Sequence, residues 1–297
     1  MESELAILYC KHLAAEKMEW LEPGLTCFSN GSKILVLNAK GETVDITAHE
    51  VQPDGSIKAL DKASGVSWGS TKVDESFRQM LVKIVGNDIM EKFCREYTFE
   101  FNYMCREFDS KKRLVDYTTK KKVTMPFPIA FKELFKGETG EDLNETLEKT
   151  SYCGKIEWTG DKLRIQPETF RQLFAKALDG TIEHVQNMVA KISCERTTTI
   201  IMVGGFSESP LLQAKVKEHF PKMRVVIPPC ADQVVLQGAV IYGHTLKVRR
   251  AKFTYGVCIM LCLIQLFIPR AESFLMNMTR STTVEMFSVN TSQREIS

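Results

Sequence analysis

Strand-like and helix-like patterns of apolar residues alternate along the chain. Two stretches of strand character, Ile34 to Leu37 and Thr43 to Thr47, flank the residues Asn-Ala-Lys-Gly-Glu, and this spacing predicts a β-hairpin. A second short strand pair is predicted around Ser56 to Leu60. Lys155 to Trp158 and Lys162 to Ile165 predict a further hairpin around a Thr-Gly-Asp turn.

Helical periodicity fills the regions between these hairpins. A helix is predicted from Val73 onward, and another from Ile89 through Arg113. The clearest helix begins at Pro167, a residue suited to the first helical turn, and continues to Ile192. The apolar positions of the first helix are Phe77, Met80, Leu81, Ile84 and Val85.

The last part of the chain alternates strands with helices of similar length. The predicted order is a strand (Thr199 to Val203), a Gly-Gly turn, a helix from Pro210, a strand (Arg224 to Ile227) and a helix (Gln233 to Tyr242). This order indicates an α/β layer with a largely buried sheet.

Composition limits the classes of function. With 297 residues and 44% apolar content, two subdomains are expected. A net charge of +2 gives no field that would predict a nucleic acid or an anionic membrane as partner. The apolar run Val257 to Ile268 is shorter than the roughly 20 residues that span a bilayer. Nine dispersed cysteines without metal-site spacing and no signal-peptide pattern favour the cytoplasm and predict no metal site.

Gly204-Gly205 is the first candidate binding element, because it joins a predicted strand to a predicted helix. Two residues without a β-carbon let the backbone approach a ligand, and the free N–H groups of a helix start favour an anion or a polar nucleoside edge. The alternative is that a strand-to-helix turn needs glycine for its own geometry.

The residues around this turn carry a family resemblance. Val203 to Pro210, followed by a helix, a strand, Asp232 and Gly238-Ala239-Val240, resembles the adenosine-binding motif of the heat shock 70 kDa protein family. The Phe-Ser-Glu-Ser sequence resembles its divergent 12A and 12B branch. The resemblance covers about residues 2–257 and implies an α/β fold: an actin-like ATPase (ribonuclease H-like) lobe with a smaller α+β subdomain inserted. Its other lobe is expected to be missing from this chain.

The resemblance also implies a division of the chain and a set of site residues. Residues 1–70 and 190–257 would form the large nucleotide-binding subdomain, 71–189 the small one, and 258–297 a divergent tail. Asp109, Lys112 and Arg113 share one helical face and would grip ribose and purine, although the same spacing also fits a salt-bridged helix surface. Asp232 would position a water near the phosphates or cap the following helix. The other adenosine-side residues would be Gly204, Gly205, Phe206 and Ser207.

The segment that resembles the family's second phosphate hairpin departs from the family pattern. Asn38 stands where an aspartate is usual, so it cannot act as a carboxylate base. Lys40 and Glu42 replace glycines, and Glu42 would repel a phosphate by about 4 kcal/mol at about 4 Å and an effective dielectric constant near 20, before screening. The family positions that remain are Gly41, Thr43 and Asp45.

These observations predict a chain that binds ATP or ADP weakly, with weak or absent hydrolysis. Mg²⁺ is expected only through the nucleotide, and no catalytic residue is assigned. Glu2 aligns with a family glutamate near the metal, and we expect it to be isolated at the start of the chain. Two alternatives remain: an interaction scaffold that binds no nucleotide, and a truncated gene product. The family also implies a chaperone-like stress role, but no ordinary client-binding β-sandwich is recognised.

Overall fold

A computed structural model describes residues 2–16, 28–61, 64–191 and 197–245. The predicted tail, the apolar run at 257–268 and the end of the helix predicted to reach Ile192 lie outside these residues. In chain order, the elements begin with α1 (Glu2–Glu16), β1 (Lys33–Ala39), β2 (Val44–Val51), β3 (Ile57–Ala59), β4 (Ser64–Val66), α2 (Thr71–Val85), α3 (Asn87–Glu96) and α4 (Thr98–Lys112).

The second half contains a small antiparallel unit and then an alternation of strands and helices. Its elements are β5 (Val123–Pro126), α5 (Ile129–Thr139), α6 (Leu143–Glu148), β6 (Ile156–Thr159), β7 (Lys162–Ile165), α7 (Pro167–Gln172), α8 (Ala175–Lys191), β8 (Thr197–Val203), a 3-10 turn (Gly205–Glu208), α9 (Pro210–His219), β9 (Arg224–Val226) and α10 (Val234–Thr245).

The larger sheet is mixed, with the strand order β3-β2-β1-β8-β9. β1 pairs antiparallel with β2 and parallel with β8, and β9 adds in parallel to β8. β3 and β4 pair with successive parts of β2, so the short strand predicted around residues 56–60 joins this sheet instead of forming a separate hairpin. The predicted hairpin of β1 and β2 and the predicted α/β alternation are confirmed.

Period-two alternation places the apolar side chains of β1 and β8 on both faces of the sheet. Leu35 and Met202 belong to the core shared with the middle helices, whereas Val36 and Val203 belong to a second cluster with α1 and α10. Burial on both faces explains why these strands are nearly continuous apolar runs. The larger core extends without a break to Trp158 of the small sheet.

The small sheet has the order β5-β7-β6 and is antiparallel throughout. Aromatic contacts link the surrounding helices, and one of them fixes the end of α4. The ring of Phe108 stacks on Phe77 of α2 at 4.0 Å and packs on Phe170 of α7 at 5.5 Å. Because Phe108 is buried, these contacts hold the last turn of α4 in place.

The structure corrects several predicted boundaries. The helix predicted over 89–113 is interrupted at Tyr97, whose backbone (φ −121°, ψ 48°) ends α3 and precedes α4. The helix predicted from Pro167 is divided at Leu173 and Phe174 into α7 and α8. The sequence pattern does not predict β5, α5 and α6, because prolines and glycines such as those of residues 126–140 usually indicate loops. Gly137 lies inside α5, and Gly140 ends it in the left-handed conformation.

Within the described residues, no helix has both the length and the apolar character needed to cross a bilayer. The predicted subdomain limits stay predictions, since one hydrophobic core runs across them.

Candidate functional site

Two turns meet at the carboxyl edge of the central parallel strands. Asn38 near the end of β1 lies beside Val203 at the end of β8, so the Lys40–Thr43 turn and the Gly204-Gly205 turn emerge side by side. In open α/β sheets, ligands bind in the crevice at this edge. The Lys40–Thr43 turn is also held against the start of α2, because the N–H of Thr71 donates to the carbonyl of Gly41 at 2.8 Å.

Gly204 and Gly205 are glycines for different physical reasons. Gly204 has φ +88° and ψ 157°, a region that is essentially restricted to glycine. A β-carbon on it would lie 2.3 Å from the carbonyl oxygen of Ala39. Gly205 has no such constraint, since the nearest atom to a β-carbon there is Cβ of Asp232 at 3.9 Å. The fold therefore requires Gly204, whereas Gly205 faces open space.

That open space is part of a cavity of about 150 Å³, which we call the Gly205 cavity. It brings together the helix predicted to grip adenosine, the Gly-Gly turn and the hairpin glycine, which are far apart in sequence. Its lining residues are Gly41, Ser70, Asp109, Lys112, Arg113, Gly205, Phe206 and Ser209.

Arg113 crosses the opening between α4 and the turn that follows β8. Its Nη1 donates to Oε2 of Glu208 at 2.8 Å, and its Nη2 lies 3.9 Å from Oδ2 of Asp109. The Arg113 side chain is 51% exposed, so the guanidinium keeps a face toward solvent. Arg113 and Gly205 therefore line the same crevice.

Lys112 lines the same cavity but is committed to an ion-pair network. Its buried Nζ lies 2.7 Å from Oδ1 of Asp74 and 3.0 Å from Oδ1 of Asp109, and 5.8 Å from the centre of the Phe108 ring. Because Lys112 of α4 pairs with Asp74 of α2 as well as with Asp109, it links the two helices. For Lys112, the contacts therefore fit the alternative interpretation of this helix face as a salt-bridged surface.

Five of the predicted site residues do not line this cavity: Gly204, Ser207, Thr43, Asp45 and Asp232. The hydroxyl of Ser207 donates to the carbonyl of Val203 at 2.7 Å within the turn. Gly204 packs on β1, and neither Thr43 nor the exposed Asp232 lines the Gly205 cavity or the acidic cavity described next. Glu42 is also exposed, and it lines neither cavity.

A second cavity of about 230 Å³, here called the acidic cavity, lies between α1 and β2. Asp45 faces it together with the polar residues that alternate along β2. Its lining residues are Glu2, Ser3, Glu4, Asn38, Asp45, Thr47, His49, Ala59 and Asp61.

Lys40 bridges two carboxylates at this cavity. Its Nζ lies 2.6 Å from Oε2 of Glu2 and 2.8 Å from Oδ2 of Asp45. The side-chain amide of Asn38 donates to the same oxygen of Glu2 at 3.0 Å. The expectation that Glu2 would be isolated was wrong, because the first turn of α1 places its carboxylate against the hairpin.

His49 is the buried titratable group of the acidic cavity. It is 2% exposed, its Nε2 is 2.9 Å from Oγ1 of Thr47, and its Nδ1 has no hydrogen-bond partner among the described residues. Burial lowers the pKa of His49 below its ordinary value of 6.5, although the Glu4 carboxylate opposes this shift. The folded protein therefore favours the neutral imidazole.

This lowered pKa predicts an acid-dependent loss of stability. Since the unfolded chain binds the proton more readily, the contribution of His49 is complete above pH 6.5 and decreases as the pH falls below it. We expect the free energy of unfolding to fall more between about pH 7 and about pH 5 for the unmodified chain than for His49→Gln. Denaturant unfolding at a series of pH values measures both curves, and parallel curves would contradict the prediction.

Three residues at or beside the Gly205 cavity, Ser70, Glu208 and Ser209, had no individual role predicted from the sequence. Glu208 is separated from Arg113 by 95 positions, so only the tertiary fold reveals their pairing. Ser70 and Ser209 precede α2 and α9 and have the residue type expected of helix caps. The hydroxyl of Ser209 makes no capping bond, however, and this buried Oγ has no partner among the described residues.

Mixed α/β content, a mixed sheet and a crevice at its carboxyl edge fit an actin-like ATPase domain. The family is shown by sequence: the model of the Hsp70 protein family matches residues 24–255, and the chain belongs to that family. The resemblance predicted from Val203 to Pro210 is confirmed.

The relatives also support the divergent branch. The chain is 34% identical over 235 residues to heat shock 70 kDa protein 12A of Mus musculus and of Homo sapiens. It is 30% identical over 234 residues to heat shock 70 kDa protein 12B of Homo sapiens. Each match covers 76% of this chain and 34% of the relative, so the chain spans about a third of the length of these curated relatives.

Proposed function

We propose that this chain binds the nucleoside part of ADP or ATP in the Gly205 cavity and hydrolyses the nucleotide slowly or not at all. The observation that carries the proposal is the composition of the cavity wall. Among the described residues, no atom lies closer than 3.9 Å to a β-carbon placed on Gly205, and Ser209, a 4% exposed lining residue of the same cavity, has a buried hydroxyl without a hydrogen-bond partner. A buried hydroxyl without a partner costs free energy, which a polar ligand atom would recover.

The charges around the cavity support a nucleoside as the ligand. Arg113 offers a half-exposed guanidinium that can stack on a purine, and Asp109 offers a carboxylate, 51% exposed, that can accept from ribose hydroxyls. The lysine on the same face, Lys112, is neutralised by Asp74 and Asp109. We therefore expect recognition of the base and the ribose to provide most of the affinity.

The small size of the cavity predicts weak binding. Its volume of about 150 Å³ is below the range of about 300–1,000 Å³ that is common for ligand clefts. Only part of a nucleotide would be enclosed, so we expect ADP and ATP to bind with similar affinity.

The residues at the hairpin predict poor hydrolysis. Asn38 carries an amide where a general base would need a carboxylate, and this amide is occupied by its hydrogen bond to Glu2. Mg²⁺ use is general in the family. A divalent ion beside the carboxylates of Glu2 and Asp45, however, would be repelled by the ammonium of Lys40. At about 4 Å and an effective dielectric constant near 20, that repulsion is about 8 kcal/mol before screening. The residues present do not fit a Mg²⁺ ion held between Glu2 and Asp45.

An interaction scaffold that binds no nucleotide is the second candidate function. One observation favours it: the guanidinium of Arg113 already pairs with Glu208 at 2.8 Å. A ligand that needed the same donor would have to displace this carboxylate, which is 28% exposed.

Calorimetric titration with ADP and ATP distinguishes the two candidates. We expect both nucleotides to release heat with similar affinity, and Arg113→Ala to weaken binding about tenfold, or about 1.4 kcal/mol. Arg95→Ala is the matched control, because Arg95 is an exposed arginine paired with the adjacent Glu96. It should bind like the unmodified chain.

Ser209→Ala tests the role of the unpartnered hydroxyl. We expect it to weaken nucleotide binding while the free energy of unfolding stays the same or rises, because an unsatisfied polar atom is removed. Heat from neither nucleotide would exclude the proposed function and favour the scaffold. ATP binding far tighter than ADP would contradict the expected lack of contact with the γ-phosphate.

A further inference from the structure

Lys40 occupies the centre of a charge network at the edge of the acidic cavity. Its ammonium contacts Glu2 of α1 and Asp45 of β2 at 2.6 and 2.8 Å, and Asn38 donates to Glu2 from the facing strand. The network thus joins three elements around one cation. Two carboxylates and one ammonium leave this network with a net charge of −1, and Glu4 and Asp61 add two further carboxylates to the lining of the same cavity.

The ammonium is held in its charged form. Partial burial alone would lower the pKa of Lys40, but hydrogen bonds to Asp45 and Glu2 outweigh it and raise the pKa above the ordinary value of 10.5. An ammonium has three donors, and within the described part of the chain two of them point to these carboxylates. The third remains for an anionic oxygen of a ligand.

The Lys40–Thr43 turn connects this network to the Gly205 cavity. Gly41, the next residue, lines the Gly205 cavity, while Asn38 and Asp45 line the acidic one. A diphosphate that followed this turn from the Gly205 cavity would approach Lys40, which itself lines neither cavity.

We infer that Lys40 takes the place of a divalent cation, and that this chain binds a nucleoside diphosphate without Mg²⁺. The ammonium offsets one of the two negative charges of Glu2 and Asp45 that would otherwise attract the metal ion, and it thereby lowers the repulsion that a diphosphate would meet there. The inference rests on the proposed function for its nucleotide, but the exclusion of the metal ion is independent of any nucleotide.

Two titrations test this inference. In the first, ADP is added to the unmodified chain and to Lys40→Met, in excess Mg²⁺ and in EDTA. We expect the unmodified chain to bind ADP equally in both, and Lys40→Met to bind about tenfold more weakly in EDTA, with recovery in Mg²⁺. Lys40→Arg should behave like the unmodified chain, because it keeps the charge.

Lys92→Met is the matched control for loss of a paired lysine. The Lys92 side chain is 35% exposed and pairs with Glu138, compared with 36% for Lys40. We expect this variant to bind ADP like the unmodified chain. Mg²⁺-dependent ADP binding by the unmodified chain would overturn the inference, and so would equal behaviour of Lys40→Met and Lys92→Met.

The second titration adds Mn²⁺ to the ligand-free proteins and measures bound metal by electron paramagnetic resonance. We expect Lys40→Met to take up Mn²⁺ at concentrations where the unmodified chain does not. Equal uptake by the two proteins, at any level, would overturn the inference. If ADP binds to neither protein, the proposed function fails, and the Mn²⁺ titration still decides whether Lys40 excludes the metal ion.

Discussion

Replacement of Gly204 by alanine is expected to lower the free energy of unfolding by about 3 kcal/mol. The backbone at φ +88° would be strained with any side chain, and the new β-carbon would lie 2.3 Å from the oxygen of Ala39 and 2.8 Å from Oδ1 of Asn38. Neither the backbone of β1 nor the buried Asn38 can move away cheaply. Denaturant unfolding measures the loss.

Gly205→Ala is the matched control, one residue further along the same turn. Its β-carbon would have no neighbour closer than 3.9 Å, so we expect the free energy of unfolding to change by less than about 0.5 kcal/mol. The added methyl group would instead occupy the Gly205 cavity and weaken ADP binding. Equal destabilisation by the two substitutions would show that the fold constrains both glycines alike.

The second large effect is expected at Gly238, where α10 crosses α1. A β-carbon there would lie on the carbonyl group of Leu5, so the two helices would have to separate. Overpacking of this kind costs about 1–3 kcal/mol, and more when backbone must move. We expect Gly238→Ala to destabilise the chain by about 2 kcal/mol or more, despite the higher helix propensity of alanine.

Gly243→Ala provides the control within the same helix. Gly243 is exposed and has no atom within 4 Å of its β-carbon position, so only helix propensity changes. We expect a gain of up to about 1 kcal/mol in the free energy of unfolding. Thermal or denaturant unfolding of both variants checks the prediction, which fails if they change stability in the same direction.

Most of the larger sheet could be predicted from local pattern. The alternation around Asn38 to Thr43 defines a hairpin, and the buried runs of β1 and β8 are typical of central parallel strands. The small antiparallel sheet and its helices were harder to predict. Pro126 ends an edge strand and Gly137 lies within a helix, although both residue types usually indicate loops. Here tertiary packing of Phe127 and Phe131 outweighs local preference.

The candidate site was predictable where one motif determines it and unpredictable where distant segments meet. Local sequence is enough to suggest the Gly-Gly turn and the shared helical face of Asp109, Lys112 and Arg113 as binding elements. The Arg113–Glu208 contact does not, since it depends on how the end of α4 meets the turn after β8. The contacts of Lys40 were not predicted either: the sequence showed only that it replaces a glycine of the hairpin, whereas its side chain contacts Glu2 and Asp45.

The Lys40–Thr43 turn lies between the Gly205 cavity and the acidic cavity. Because its backbone is anchored to the start of α2 by three hydrogen bonds, from Gly69, Ser70 and Thr71, it resists independent movement. The backbone positions of Lys40 and Gly41 are therefore fixed before any ligand arrives, so binding would spend little free energy on ordering this turn.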